Sequence, residues 1–263
     1  MSQNKLELRR QEFEAWLENC QKDGINPLSI IKVNSNKDFN KANKPFVFSN
    51  FDEFNAAILE SKKATEHYFS QGRSDSLNTI IKNSIGGSTF RSFHFKATKC
   101  QETPSSVYRD YTLDFLGGNE SSLNNLIDLN NESEYENFFF EAAEGLIKKF
   151  SVETDNSEII KFGRATKLLN LSFKRLLRSE KIPDTKREQL ITLLHVPLDS
   201  YTLQGIRKLA KEFNIPRNAS MGWAELDSKE TYLQIQNWIR LKCKEAGGLP
   251  IHYEIAAWDL SHS

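Results

Sequence analysis

The sequence has few cysteines and no long apolar run. Its three cysteines, Cys20, Cys100 and Cys243, lie far apart and form no Cys-X-X-Cys pair, so it offers neither a disulfide framework nor a zinc-binding pair. No stretch of about 18 consecutive apolar residues occurs, and the first residues, MSQNKLELRRQEFEAW, contain no apolar signal segment. We therefore expect a cytoplasmic protein with reduced thiols, no bound metal and no membrane partner.

The chain also lacks net charge, because 35 Lys and Arg residues balance 35 Asp and Glu residues. This balance argues against a general polycation that binds nucleic acid by charge alone. Nine basic residues are nevertheless concentrated between Lys161 and Arg187, where only Glu180 and Asp184 oppose them. A basic face of this kind is compatible with a DNA-binding surface, although an ordinary solvated helix face has the same composition.

Helical periodicity dominates the rest of the sequence. Apolar residues recur at helical spacing over residues 4–20, after Asn50 and through most of the chain after Ser133, with no internal repeat and no βαβ alternation. Only the alternation in FRSFHFKAT suggests a short strand. We therefore predict an all-α protein of two helical subdomains, an N-terminal one over residues 1–132 and a C-terminal one over residues 133–263.

Helix boundaries are clearest in the C-terminal half. Asp199 or Ser200 is well placed to cap one helix, and Ser228 is well placed to cap another that stops at Gly247. A helix–loop–helix precedes them, with KFGRATKLLNLSFKRLL as its second helix. These signals predict that Asp199 lies at a helix N-terminus.

Four residues of the C-terminal half supply the groups that excision of a base from DNA requires. The base must leave the stack and enter a pocket that holds it with an aromatic plate and a polar group. A carboxylate must stabilise the positive charge on the sugar, and an amine can attack the anomeric carbon to give an imine. Lys167 and Asp199 are the predicted catalytic amine and carboxylate. Glu254 and Trp258, one helical turn apart, are the predicted base reader and stacking plate.

Basic residues on the Lys167 helix are the predicted contacts to DNA phosphates. They are Arg164, Lys174 and Arg178, together with the backbone amides near Gly163. A helix N-terminus with exposed amides favours anions, and phosphate contacts commonly position a protein on DNA.

The segments that carry these residues resemble the archaeal 8-oxoguanine DNA glycosylases, a branch of the helix-hairpin-helix glycosylase superfamily. In that branch a lysine opens a K-T-hydrophobic-hydrophobic helix, and an aspartate follows in a P-hydrophobic-D motif some thirty residues later. Here Lys167 and Asp199 of VPLDS are 32 residues apart. The segment GGLPIHYEIAAW runs parallel to the family's G-I-P-P-L-H-L-D-X-X-X-W, which aligns Glu254 with a base-reading aspartate and Trp258 with a stacking tryptophan. The resemblance covers roughly residues 134–260.

The resemblance implies a DNA glycosylase that excises 8-oxoguanine, leaves an abasic site and is able to cut the strand through a lysine imine. It also implies an active cleft between two helical subdomains and a helix-hairpin-helix motif. We expect a monomer without a cofactor, because neither glycosidic bond breaking nor imine formation requires one. The expected partner is DNA that contains a modified or damaged base.

Three departures from the family leave the substrate open. Leu171 stands where the family often has an aromatic residue, Glu254 is longer than the family's aspartate, and only Gly163 remains of the hairpin's glycines. The altered pocket therefore predicts, as an alternative, the same chemistry on a bulky phage-modified base such as a substituted hydroxymethylcytosine, in defence against phage. An alternative of another class is a non-catalytic helical DNA-binding protein whose Lys167 helix only contacts phosphates.

Overall fold

The computed structural model describes residues 44–70, 73, 76–85, 102–116, 120–154, 160–217, 226 and 228–262. Regular secondary structure in these ranges is helical throughout, with no strand, which confirms the all-α prediction. Residues Pro45–Ser263 form one compact unit by their contacts. The division into subdomains at residue 132 stays a prediction. None of the helices described is long and apolar enough to cross a membrane.

Ten α-helices and one short 3-10 helix are described. They are α1 (Phe51–Ser70), α2 (Leu77–Ser84), α3 (Pro104–Phe115), α4 (Glu120–Ile127), α5 (Glu132–Thr154), α6 (Phe162–Leu176), α7 (Asp184–Leu193), α8 (Ser200–Ile206), the 3-10 helix (Lys211–Phe213), α9 (Lys229–Glu245) and α10 (Pro250–His262). Helix α1 packs against α10, α5 against α6 and α3, α2 against α6, and α8 against α10.

Local capping sets several of these boundaries. Asp199 caps α8, and Ser228 caps α9 by accepting a hydrogen bond from the Thr231 backbone N–H at 3.1 Å. Helix α9 ends before Gly247, whose φ of 72° lies in the left-handed region that favours glycine. The caps of α8 and α9 predicted from the sequence are thus confirmed.

The core is aromatic and centres on α5. The ring of Phe139 packs against those of Tyr135, Phe173 and Tyr232, with centroids 5.8, 5.8 and 6.0 Å apart. All four side chains are buried. Edge and stacked contacts of this kind add to the stabilisation from area burial, and they hold α5, α6 and α9 together.

Two helices lie in the described part of the stretch around residues 75–118, for which the sequence pattern indicates only a short strand. Ser76 caps α2 by accepting from the Thr79 N–H, and Thr103 caps α3, which opens with Pro104 at its first position. Helices of 8 and 12 residues offer too few turns for a clear apolar period, so their caps were the only usable signal. The predicted strand FRSFHFKAT and the predicted helix over residues 4–20 lie outside the described residues.

The predicted hairpin is described only in its two helices. Helix α5 ends at Thr154 and α6 begins at Phe162, after an N-cap at Lys161 that makes no side-chain capping bond. Residues 155–159, which join them, lie outside the described residues. The helix-hairpin-helix assignment therefore stays a prediction.

Candidate active site

A cavity of about 540 Å³ is lined by residues of α1, α2, α6, α8 and α10 and of the segment before α8. This volume lies within the range of about 300–1,000 Å³ typical of small-molecule sites. The structure brings six of the predicted site residues to its wall: Lys167, Leu171, Lys174, Asp199, Glu254 and Trp258. The roles assigned to these residues are separate predictions that their placement alone does not test.

Helix α6 supplies three cavity residues because of its period. Lys167, Leu171 and Lys174 are spaced by four and three residues, so their side chains project from one face. Leu168 and Phe173 point the other way and are buried in the core. Core burial on one face therefore fixes the rotation of α6 and directs both lysines toward the cavity.

The Asp199 carboxylate has two separate tasks. Its Oδ1 accepts hydrogen bonds from the backbone N–H groups of Tyr201 at 2.9 Å and Thr202 at 3.2 Å. The Thr202 hydroxyl in turn accepts the Asp199 N–H at 2.9 Å and donates to the carbonyl of Pro197 at 2.7 Å, which completes a capping box. Oδ1 is thereby held by the helix end, while Oδ2 faces Lys167.

Lys167 and Asp199 form an ion pair at the cavity wall. The Lys167 Nζ lies 3.5 Å from Asp199 Oδ2, and the two side chains are only 15% and 12% exposed. A pair this far from solvent is screened less than a surface pair. The arrangement sets a potential nucleophile and a negative charge side by side at a space large enough for a ligand.

A second, tighter ion pair joins Lys174 to Glu254 across the cavity. The side chains are 14% and 9% exposed, and Lys174 Nζ donates a hydrogen bond to Glu254 Oε1. Burial, the largest single effect, lowers the pKa of Lys174, but the Glu254 carboxylate together with Tyr68 and Asp199 outweighs burial, and the pKa is raised. Burial raises the pKa of Glu254, and the Lys174 ammonium offsets this only in part. Lys174 therefore stays protonated, and it presents a fixed donor beside the Glu254 carboxyl group.

Aromatic side chains form one side of the cavity at its exposed end. Trp258 is 51% exposed. Its ring stacks on His262 with centroids 4.0 Å apart and meets the Tyr201 ring edge-on at 5.2 Å. Trp258 is therefore not a core residue, and its indole is available to a ligand in the cavity.

The predicted phosphate contacts take different positions. Lys174 lies in the cavity, in its pair with Glu254, rather than on an outer face. Arg178 is 9% exposed and covers the Tyr68 ring, with its guanidinium carbon 4.8 Å from the centroid. Gly163 is buried in the first turn of α6, and Arg164 is half-buried beside it. The side chains of Lys174 and Arg178 are thus used inside the protein. The role of these four residues in binding phosphate stays a prediction.

Sequence analysis missed two aromatic residues of the cavity, Tyr68 and Tyr201. Tyr68 comes from the end of α1, and both Lys174 Nζ, at 5.2 Å, and Arg178 lie over its ring. Its distance in sequence from the C-terminal motifs concealed it. Tyr201 had a usable signal, because it lies two residues after Asp199, the cap of α8, and must leave the helix near that end.

His195, in the segment that precedes Asp199, belongs to the packing of the aromatic core. His195 is buried among Tyr135, Phe139 and Tyr232, and its Nδ1 lies 3.1 Å from the Tyr232 hydroxyl. Burial lowers its pKa to about 3, so the ring is neutral. In the described part of the chain, no group of three or more His, Cys, Asp and Glu is arranged to hold a metal ion.

Comparison with protein-family models, with characterised proteins and with solved structures finds no match to this chain. The geometry of the cavity and the sequence motifs that line it are therefore the observations that bear on function.

Proposed function

We propose that this protein is a DNA glycosylase that flips a modified base out of DNA and excises it. The observation that carries the proposal is the pair of Lys167 Nζ and Asp199 Oδ2, 3.5 Å apart on the wall of a cavity of about 540 Å³. An amine, a carboxylate and an aromatic face around one concave space are the groups that excision of an extruded base requires.

Asp199 stabilises the sugar during bond breaking. As the bond between C1′ and the base nitrogen lengthens, the electron pair leaves with the base and positive charge develops on the sugar. A carboxylate already fixed by two backbone N–H groups needs little reorganisation to oppose that charge. This role is required whether water or an amine completes the reaction.

Lys167 supplies the nucleophile for strand cleavage. Its neutral amine forms a bond to C1′ while the bond to the base breaks, and the departing base takes up a proton. The sugar ring then opens, its ring oxygen takes up a proton and a protonated imine forms; loss of a proton from C2′ then expels the 3′ phosphate. Asp199 Oδ2 is within reach to accept the ammonium proton that must be lost before attack. It passes this proton to the departing base, so the carboxylate is charged again while positive charge develops on the sugar.

The side of the cavity that carries Lys174 and Glu254 selects the base. Lys174 offers a donor and Glu254 an acceptor, and each is fixed by the other. Trp258 and Tyr201 offer aromatic surface for stacking. Polar groups that are buried and already oriented reject a base that leaves them unpaired, which is a strong source of specificity.

Two substrate classes fit this proposal. The resemblance to archaeal glycosylases favours 8-oxoguanine. Leu171, which replaces an aromatic residue of that family on the cavity wall, leaves more room and favours a bulkier base, such as a substituted hydroxymethylcytosine of phage DNA. The first substrate would make the protein a repair enzyme, and the second would make it a defence enzyme.

Borohydride trapping on a panel of modified oligonucleotides tests the proposal. Reduction of the imine leaves a stable covalent protein–DNA adduct, so wild-type protein is expected to give an adduct and free base on at least one oligonucleotide. The Lys167→Ala variant is expected to lose the adduct. Lys148→Ala, which removes an exposed lysine of α5, is the matched control and is expected to keep it.

The same experiment separates the alternatives. Base release without an adduct would identify a glycosylase that uses water and depends on Asp199 alone. Absence of both products on every oligonucleotide, combined with DNA affinity that falls steeply with salt, would replace the proposal with a non-catalytic DNA-binding protein.

A further inference from the structure

The segment that carries Asp199 is buried but has no regular secondary structure. Residues 194–199 are all buried, and residues 194–198 belong to neither a helix nor a strand. Buried backbone N–H and C=O groups need hydrogen-bond partners, and here no helix or sheet ladder provides them. Side chains from two helices must therefore fix this segment.

Gln236 of α9 binds the backbone of this segment at both of its polar groups. The Val196 N–H donates to Gln236 Oε1 at 2.9 Å, and Gln236 Nε2 donates to the Val196 carbonyl at 2.7 Å. The side-chain amide of Gln236 thus pairs with the Val196 backbone as a residue of a neighbouring β-strand would. Gln236 is only 2% exposed, and a buried amide is tolerated because both of its ends are satisfied.

Asn170 joins the same carbonyl to the lysine helix. Its Nδ2 donates to the Val196 carbonyl at 3.3 Å and to the Tyr232 hydroxyl at 2.9 Å, and the side chain is 1% exposed. Asn170 follows Lys167 by three residues on α6, and Val196 precedes Asp199 by three residues. The hydrogen bonds at Val196 therefore connect the helix of one proposed catalytic residue to the backbone of the other.

We infer that Gln236, assisted by Asn170, is a positioning residue that holds Asp199 in register with Lys167. The inference rests on the proposed glycosylase function for its effect on activity, but its structural content is independent of that function. Gln236 does not line the cavity, so it acts through Val196 and not through the ligand. Loss of its two hydrogen bonds frees Val196 to shift, and a shift of about 1 Å at reacting groups costs on the order of 100-fold in rate.

The variant Gln236→Glu gives the sharpest test, because a protonated carboxyl has the same shape as the amide. Its carbonyl oxygen can accept the Val196 N–H and its hydroxyl can donate to the Val196 carbonyl. When the new carboxyl ionises, it can only accept, and it repels the Val196 carbonyl. The rate per folded molecule, relative to wild type, is therefore expected to fall about 10–100-fold at alkaline pH and to recover toward acidic pH.

The charged and titratable groups around Gln236 do not by themselves lower the rate of the variant relative to wild type at alkaline pH. His195 is neutral, since burial lowers its pKa to about 3, and burial raises the pKa values of Tyr135 and Tyr232, which keeps both protonated. The Arg240 guanidinium and the Glu136 carboxyl, whose pKa burial raises, are present in both variant and wild type. Their contributions therefore cancel in the ratio of the two rates.

Two further variants complete the design. Gln204→Glu alters another buried glutamine, one whose Nε2 donates to the Pro216 carbonyl, and is expected to change stability without a pH-dependent rate per folded molecule. Gln236→Met removes both hydrogen bonds at similar volume and is expected to be slow at every pH. A Gln236→Met variant as fast per folded molecule as wild type would overturn the inference.

A crystal structure of the Gln236→Met variant decides the inference separately from the proposed function. We expect Val196 to move and the distance from Lys167 Nζ to Asp199 Oδ2 to depart from 3.5 Å by about 1 Å or more. An unchanged distance would overturn the positioning role. A wild type that releases no base would instead overturn the proposed function, while this structural measurement would still test the role of Gln236.

Discussion

Single residues in this cavity combine a structural and a chemical role. Asp199 uses Oδ1 to cap α8 and directs Oδ2 at Lys167. Lys174 and Glu254 satisfy each other inside the protein and still face the cavity. A substitution that preserves the shape of the side chain therefore removes only its chemical role, whereas truncation to alanine removes both its structural and its chemical role.

The Asp199→Asn substitution tests this separation. An asparagine keeps an oxygen that can accept from the Tyr201 and Thr202 N–H groups, and Asn and Asp are nearly equal as N-caps. The free energy of unfolding is therefore expected to fall by less than about 1 kcal/mol. Base release is expected to fall on the order of 100-fold or more, because the charge that stabilises the sugar is lost. Chemical denaturation and a base-release assay measure the two quantities.

The Asp199→Ala variant is the comparison for this prediction. It removes the cap as well as the charge, so it is expected to lose about 1 kcal/mol of stability in addition to activity. An Asp199→Asn protein that is stable and as active as wild type would refute the catalytic role of the carboxylate.

At the scale of secondary-structure elements, the critical segment is one without regular secondary structure. The segment from Leu194 to Leu198 connects α7 to α8 and is held by side chains of α6 and α9 rather than by a ladder. His195 anchors it against α5 and α9 through its ring contacts. The stability of this segment therefore depends on a histidine that must remain uncharged.

The pH dependence of stability follows from the histidine in this segment. Burial lowers the pKa of His195 to about 3 from an ordinary value of 6.5. Below pH 6.5 the imidazole of His195 takes up a proton in the unfolded chain but not in the folded protein. The free energy of unfolding therefore decreases as the pH is lowered. The expected contribution is a loss of about 2 kcal/mol between pH 7 and pH 5. Urea unfolding at a series of pH values measures it.

The matched variants for this prediction are His195→Phe and His67→Gln. The first keeps an aromatic ring among Tyr135, Phe139 and Tyr232 but cannot titrate, so its stability is expected to fall about 2 kcal/mol less over the same interval. The second removes an exposed histidine and is expected to keep the wild-type slope. Equal slopes for wild type and His195→Phe would show that His195 does not titrate in this way.

At the scale of the whole molecule, four of the nine basic residues from Lys161 to Arg187 are used inside the protein. Lys167 and Lys174 face the cavity in ion pairs, and Arg178 and Arg187 are buried. Arg187 donates hydrogen bonds to the carbonyls of Leu177 and Ile182. This run thus presents fewer exposed cations than its composition indicates.

Salt dependence of DNA binding distinguishes surface cations from internal ones. Arg164→Ala removes a half-exposed guanidinium at the start of α6 and is expected to reduce the slope of log K against log salt by about one. Arg178→Ala is expected to leave that slope unchanged and to lower stability by about 1–2 kcal/mol, because it removes packing and a cation–π contact with Tyr68. Fluorescence anisotropy and thermal unfolding provide the measurements.

A useful control is Lys148→Ala, which changes an exposed cation of α5 outside the basic run. It is expected to change neither the slope of log K against log salt nor the stability of the protein. If Arg178→Ala reduced the salt slope as much as Arg164→Ala does, the guanidinium of Arg178 would have to reach DNA, and its internal role would be wrong.

Local signals in the sequence predicted several of the helices and their ends, although not α2 and α3. The Asp199 and Ser228 caps and the stop at Gly247 were predictable because each depends on residues within about four positions of one another. The wall formed by Lys167, Leu171 and Lys174 follows from one helical period in the same way. The catalytic assignment of Lys167 and Asp199 came from motif spacing, and it stays a prediction until the trapping experiment.

Only the tertiary structure decided which distant groups meet. Lys174 pairs with Glu254, 80 residues away, and Gln236 binds the backbone of Val196, 40 residues away. Tyr68 reaches the cavity from α1, far from every motif. The physical reason is that a charged or amide side chain has the same local sequence signature whether it is solvated or buried. Its partner is fixed by helix packing, which no window of neighbouring residues contains.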